Sequence, residues 1–146
     1  MNYSPISRRH MVAALGLSLL AGCTDAVSLK SDSETGIPLG SLFVHNPSEE
    51  SQSVQLQLKR ANEIVYEGTV EAAEGYEIID PSWSTEPAEY TLLYATDESI
   101  GSASIPADFE GKVDSADCYH ALFNFHGPLE PQVELWDSDE FDEGAC

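Results

Sequence analysis

From Leu39 onward, apolar and polar residues alternate in short runs. "SVQLQLKR" sets Val54, Leu56 and Leu58 on one face and Gln55, Gln57 and Lys59 on the other. That period of two belongs to a half-buried strand. Asn62 turns the chain into "EIVYEGTV", which predicts a hairpin. "SLFVHN" closes at Asn46-Pro47 and "GYEIID" at Asp80-Pro81, both turn signals. "EYTLLYAT" alternates Tyr90, Leu92 and Tyr94, and "GSASIPA" is a weaker run broken by Pro106. "DCYHALFNFHG" alternates Tyr119, Ala121, Phe123 and Phe125 against His120, Leu122, Asn124 and His126. "PQVELWD" turns Val133 and Leu135 inward and completes a second hairpin around Gly127-Pro128.

No segment combines a helical period with caps. Seven or eight short strands with regular turn signals predict an all-β fold, an antiparallel β-sandwich over residues 39–146. "PAEYTLLYAT" resembles the late strand of immunoglobulin-like and related sandwiches, where a Tyr follows a turn. Nothing in "SVQLQL" matches the first of the two cysteines that immunoglobulins pair across their sheets, so related topologies, the cupredoxin-like one included, stay open. Trp83 lies in the connection "IIDPSWSTEPAEY", where it either caps one end of the sandwich or joins a binding patch; burial of large aromatics favours the cap.

The chain's beginning follows another pattern. Arg8-Arg9 precede an apolar run, Met11 to Ala21, which ends in Gly22-Cys23. A basic pair, a short apolar run and small residues make a secretory signal over residues 1–22. The run is too short for a span, which needs about 20 apolar residues. The paired arginines resemble a twin-arginine export signal. Leu20-Ala21-Gly22-Cys23 resembles a lipobox, in which small residues admit the peptidase and the thiol takes the lipid. That resemblance implies a Cys23 carrying a two-chain lipid, since about 0.8 kcal/mol per buried methylene leaves a single chain marginal. The expected location is the outer face of the cell membrane, with membrane lipid held through Cys23. Thr24 to Pro38 is polar and without sustained period, so residues 23–38 read as lipidated cysteine and flexible tether.

Charge sharpens the picture. The 146 residues hold 26 acids and 6 bases. Cleavage before Cys23 leaves only Lys30, Lys59, Arg60 and Lys112 against every acid, a formal −22. Such a charge repels itself in dilute salt. Near 1 M salt the screening length is about 3 Å and the repulsion largely vanishes. "SRRHMV", "LAGC" and this acidity together resemble twin-arginine-exported haloarchaeal lipoproteins. The same surface excludes nucleic acid as a partner, because phosphate binding needs Lys and Arg.

With Cys23 committed to lipid, Cys118 and Cys146 are an even pair in an exported domain, and a disulfide is predicted. It would contribute about 3–4 kcal/mol in the chain-entropy model and pin the acidic tail to the sandwich. Copper is the sharpest competing idea: Cys118, His120, His126 and His45 supply the ligand types of a blue site. No Met follows Cys23 to serve as axial ligand, and alternation sets His120 and His126 on the solvent side of their strand. Asp137, Asp139, Glu140, Asp142 and Glu143 offer oxygen ligands for calcium, but Phe141 and Gly144 fall at the wrong places for an EF-hand loop. No "GxSxG", "HExxH" or "CxxC" occurs, so no catalytic residue, resident metal or cofactor is assigned. The expectation is a non-catalytic interaction or structural module that meets a surface protein or glycan, with metal binding as the alternative.

Overall fold

A computed structural model describes residues 36–113, 116–126, 129–141 and 143–146. The chain divides into two units, Met1–Ser31 and Asp32–Cys146, and every described residue belongs to the second. Arg8, Arg9, Leu20, Ala21, Gly22 and Cys23 therefore lie outside the described residues, as does most of the tether.

Among the described residues eight strands follow in order: β1 Leu39–Asn46, β2 Gln52–Arg60, β3 Glu63–Ala72, β4 Gly75–Ile79, β5 Tyr90–Ala95, β6 Ile100–Ile105, β7 Tyr119–Asn124 and β8 Gln132–Asp137. Among the described residues the only helical piece is a 3-10 turn, Ala107–Phe109. The strands form two four-stranded sheets, β4-β1-β7-β8 and β3-β2-β5-β6. Between them lies the core predicted from alternation: Val54, Leu56 and Leu58 of β2, Tyr90 and Leu92 of β5, and Tyr119, Ala121 and Phe123 of β7 are all buried. The β2–β3 hairpin turns at Ala61 and Asn62, whose φ values of 48° and 70° give the twist that suits a two-residue turn.

Two departures from the expected sandwich matter. First, it is not wholly antiparallel: β1 and β7 run parallel, while the other pairings are antiparallel. A parallel pair needs a long crossover, and here the whole of β2 to β6 lies between its strands. Second, β1 is buried on both sides, with a register shift between Leu39 and Leu42. The shift leaves Leu42 and Val44 facing the core while Ser41, Phe43 and His45 face outward, and Ser41 and Phe43 are also shielded from solvent.

Trp83 folds back as a cap. It is buried, its Nε1 donates to the Leu39 carbonyl at 3.0 Å, and its ring meets Tyr66 edge-on. On the neighbouring loop the Tyr90 hydroxyl donates to the Ser84 carbonyl at 3.1 Å, fixing the corner that leads into β5.

Candidate functional site: an aromatic face strapped by the C-terminus

Strand register decides which side chains share the outer face of the β4-β1-β7-β8 sheet. Tyr76 stands opposite His45 and Ile78 opposite Phe43. Phe43 lies beside Leu122, and His45 beside Asn124. Across the next pairing, Leu122 meets Glu134 and His120 meets Trp136. Over the middle of this face runs the chain's last segment. It leaves β8 through a turn in which Glu140 N–H reaches the Asp137 carbonyl at 3.0 Å and Asp139 N–H reaches the Asp137 carboxylate at 2.8 Å. The ring of Phe141 then sits among three others, 4.7 Å from Phe43, 5.0 Å from Trp136 and 5.9 Å from Tyr76. Edge and tilted contacts of this kind add attraction beyond burial.

Backbone and covalent bonds fasten the strap. Ser41 N–H donates to the Ala145 carbonyl at 3.0 Å, and Ala145 N–H donates to Ser41 Oγ at 2.8 Å. Cys118 and Cys146 form a disulfide with S–S 1.99 Å and Cα–Cα 6.2 Å, as their count predicted. Gly40 makes the approach feasible, because a Cβ there would collide with the Ala145 carbonyl and lie 2.9 Å from Cys146 Sγ. Gly144, at φ 116°, passes the rings of Phe43 and His120 too closely for a side chain.

The strap overturns the solvent-facing reading of His120. Alternation does turn the ring away from the main core, but the outer face it joins is covered, and the residue is only 2 % exposed. Its Nδ1 accepts the Ser41 N–H at 3.1 Å, so the ring hydrogen sits on Nε2. Burial lowers the imidazole pKa from its ordinary value. His120, Ser41 and Asp80 supply the residue types of a hydrolytic triad without its geometry. Ser41 Oγ bonds to Asp80 Oδ1 at 3.1 Å, while His120 touches the serine backbone. The imidazole is not placed on the hydroxyl, and Ser41 itself is fully buried.

Toward the end of the sheet that carries the 47–51 loop, the face becomes polar. The His45 ring stacks on Tyr76, centroids 4.4 Å apart and planes 19° from parallel. Its Nδ1 lies 3.2 Å from Asn124 Oδ1, which also accepts the His126 N–H at 3.2 Å. Glu134 lies 4.0 Å from His126 Nε2 and accepts Trp136 Nε1–H at 3.0 Å. His45, Pro47, Ser48, Asn124 and His126 line a shallow hollow of ≈ 440 Å³. Behind it Asn46, fully buried, acts as a hub: its amide donates to the carbonyls of Glu50 and Ala72 at 2.8 and 2.9 Å, and its oxygen accepts from Ser48 N–H and Gln52 Nε2. The sequence marks Asn46 only as a turn residue and carries no sign of this role.

The proposed copper set does not come together. Cys118 Sγ is bonded to Cys146 and is no thiolate, His120 is closed beneath the strap, and His45 and His126 border the hollow near the other end of β7. No three His, Cys, Asp or Glu side chains converge for a metal among the described residues. Of the calcium candidates, Asp142 lies outside the described residues; Asp137 spends its carboxylate on the turn to Asp139. What remains at the surface is a row of partly exposed rings, Tyr76, Phe141, Trp136 and His45, edged by hydrogen-bonding groups. Rings so placed offer rigid apolar area, and the polar neighbours offer hydrogen-bonding groups beside it. Comparison with family models, curated proteins and solved structures finds no match for this chain.

Proposed function

We propose that this protein is an exported lipoprotein, anchored through Cys23, whose sandwich works as a non-catalytic recognition module at the outer face of the cell membrane. The observation that carries the recognition role is the aromatic outer face: Tyr76 is 44 % exposed, yet its ring is held against His45 and Phe141 and needs little ordering when a partner arrives. Residues 8–23 support the anchor. We read the fold as immunoglobulin-like with an added strand pair. In β1 to β6, the order β3-β2-β5-β6 opposite β4-β1 is that of the C′-C-F-G and E-B strands of such sandwiches. Tyr90 supports this, bonding back to Ser84 at the corner before β5 as a tyrosine corner does. β7 and β8 then occupy the flank of β1 where a first strand would pair.

The test is capture from salt-rich membranes with the full-length chain. A surface partner retained by the native protein and lost with Tyr76→Ala, the fold unchanged, is the expected result. Recovery of the chain alone, or equal retention by the variant, overturns the recognition role. Intact mass tests the anchor separately: a chain beginning at a lipidated Cys23 is expected, and an unprocessed mass refutes it.

A further inference from the structure

Three polar side chains in the wall of the hollow beside the 47–51 loop are each held by a second group behind them. Asn124 Oδ1 accepts the His126 N–H at 3.2 Å, which fixes that atom as the oxygen of the amide. His45 Nδ1 lies 3.2 Å from the same oxygen, so a neutral imidazole carries its hydrogen there and keeps its lone pair on Nε2. The Tyr76 ring, stacked at 4.4 Å, sets the plane of that imidazole. Ser48 is fixed from below by the buried Asn46, whose oxygen accepts the Ser48 N–H at 2.9 Å. Its own Oγ accepts the Glu50 N–H at 3.2 Å. Groups already oriented in this way bind a ligand without first being ordered.

The bonding capacity left over has a definite character. His45 Nε2 is an acceptor, the Asn124 amide keeps both of its hydrogens, and the Ser48 hydroxyl keeps its own, none with a partner among the described residues. An acceptor set beside donors suits hydroxyl groups, each of which gives one hydrogen and takes two. Pro47 and the His126 ring complete the wall, so no carboxylate, Lys or Arg lines it. Glu49 and Glu50 follow Ser48, Glu134 stands 4.0 Å from His126, and a chain at a formal −20 turns an acidic ligand away. A peptide strand has no edge to join here. β1 and β7 are the inner strands of their sheet, with backbone groups bonded to β4, to β8 and to each other. A ligand in this hollow is read by side chains.

We propose that this hollow is a sugar subsite that takes a neutral hexose of a surface glycan. One hydroxyl of the sugar donates to His45 Nε2, and its neighbours accept from Asn124 Nδ2 and Ser48 Oγ, with Pro47 offering apolar area to the C–H groups. The proposal rests on the recognition role above and names its partner. Tyr76 serves the subsite by holding the His45 ring in place. The fully buried Asn46 acquires a purpose as well, because its bonds to Ser48 and to the Glu50 carbonyl shape the loop that forms one wall.

The test is retention of the detergent-extracted, full-length chain on immobilised neutral oligosaccharides of the gluco, manno and galacto series, in high salt. Retention on at least one series is expected, with competition by the free sugar. His45→Phe keeps a ring against Tyr76 and removes the acceptor, so affinity should fall about tenfold; Ser48→Ala, on the loop, should lower it about threefold with an unchanged urea midpoint. A second arm uses membranes treated with periodate, which cleaves vicinal diols, and capture of the surface partner should then be lost. Capture that persists on oxidised membranes and still needs Tyr76 would sink the sugar subsite and leave the recognition role standing as a protein contact. Retention on none of the neutral series, retention on uronate or sulfated sugars alone, or equal affinity in His45→Phe would each overturn the proposal.

Discussion

The Ser41 N–H and the Nδ1 of His120 lie 3.1 Å apart, joining β1 to β7 across 79 residues of sequence beneath the C-terminal strap. This contact needs a neutral imidazole. The unfolded chain has an ordinary histidine of pKa near 6.5, and the folded one is lowered by burial. As pH falls through that range the unfolded state takes up a proton the native state refuses, so stability falls; above it the contribution is fully present. Urea midpoints from pH 8 to pH 5 should decline for the native protein relative to His120→Gln, by at most about 1.4 kcal/mol per pH unit. Parallel curves for the two proteins would remove His120 from the pH response.

Cys118 and Cys146 close a loop of 28 residues, for which the chain-entropy model gives about 3–4 kcal/mol. Cys146→Ser should lower unfolding free energy by that order. It should also speed hydrogen exchange at the Ser41 amide, one of whose acceptors is the Ala145 carbonyl. Unchanged exchange would mean that the strap holds without its covalent bond.

Gly40 tests the same fastening from the other side. Gly40→Ala puts a methyl group into the Ala145 carbonyl, so the strap must lift while both cysteines remain. The expected signature is loosened packing around Trp136, read as a red shift and greater quenching of its fluorescence in a Trp83→Phe background. An unaltered spectrum would show that the strap accommodates the methyl.

Asn46→Ala removes the group that satisfies two carbonyls and gathers the 47–51 loop. Leaving the Ala72 carbonyl buried without this donor should cost about 2–3 kcal/mol, read from urea unfolding. A loss below about 0.5 kcal/mol would place the hub's weight elsewhere.

The strands were legible because each one writes its burial into a period of two, as Val54, Leu56 and Leu58 do. The disulfide was legible by counting. The partner of β1 was not, because pairing β1 with β7 is decided by packing at long range and leaves no mark in either strand. His120 misleads for a related reason. Alternation reports which side of a strand a residue takes, and only the tertiary structure reports that the far side is roofed. The clue is Phe141, an aromatic set among acids in "DSDEFDEG", where a calcium loop has no use for it.

The parallel β1–β7 pairing also sets a schedule. The four strands of the β3-β2-β5-β6 sheet all lie within residues 52–105, so that sheet is complete in sequence well before the chain ends. β1, although made first, waits for the last 28 residues to receive its neighbour, its roof and its covalent tie. Until then Leu42, Phe43 and Val44 present an open apolar edge, the kind of surface that marks a chain as unfinished. β7 closes that edge and the tie between Cys118 and Cys146 secures its roof, so a chain cut short between β6 and β7 never leaves the open state.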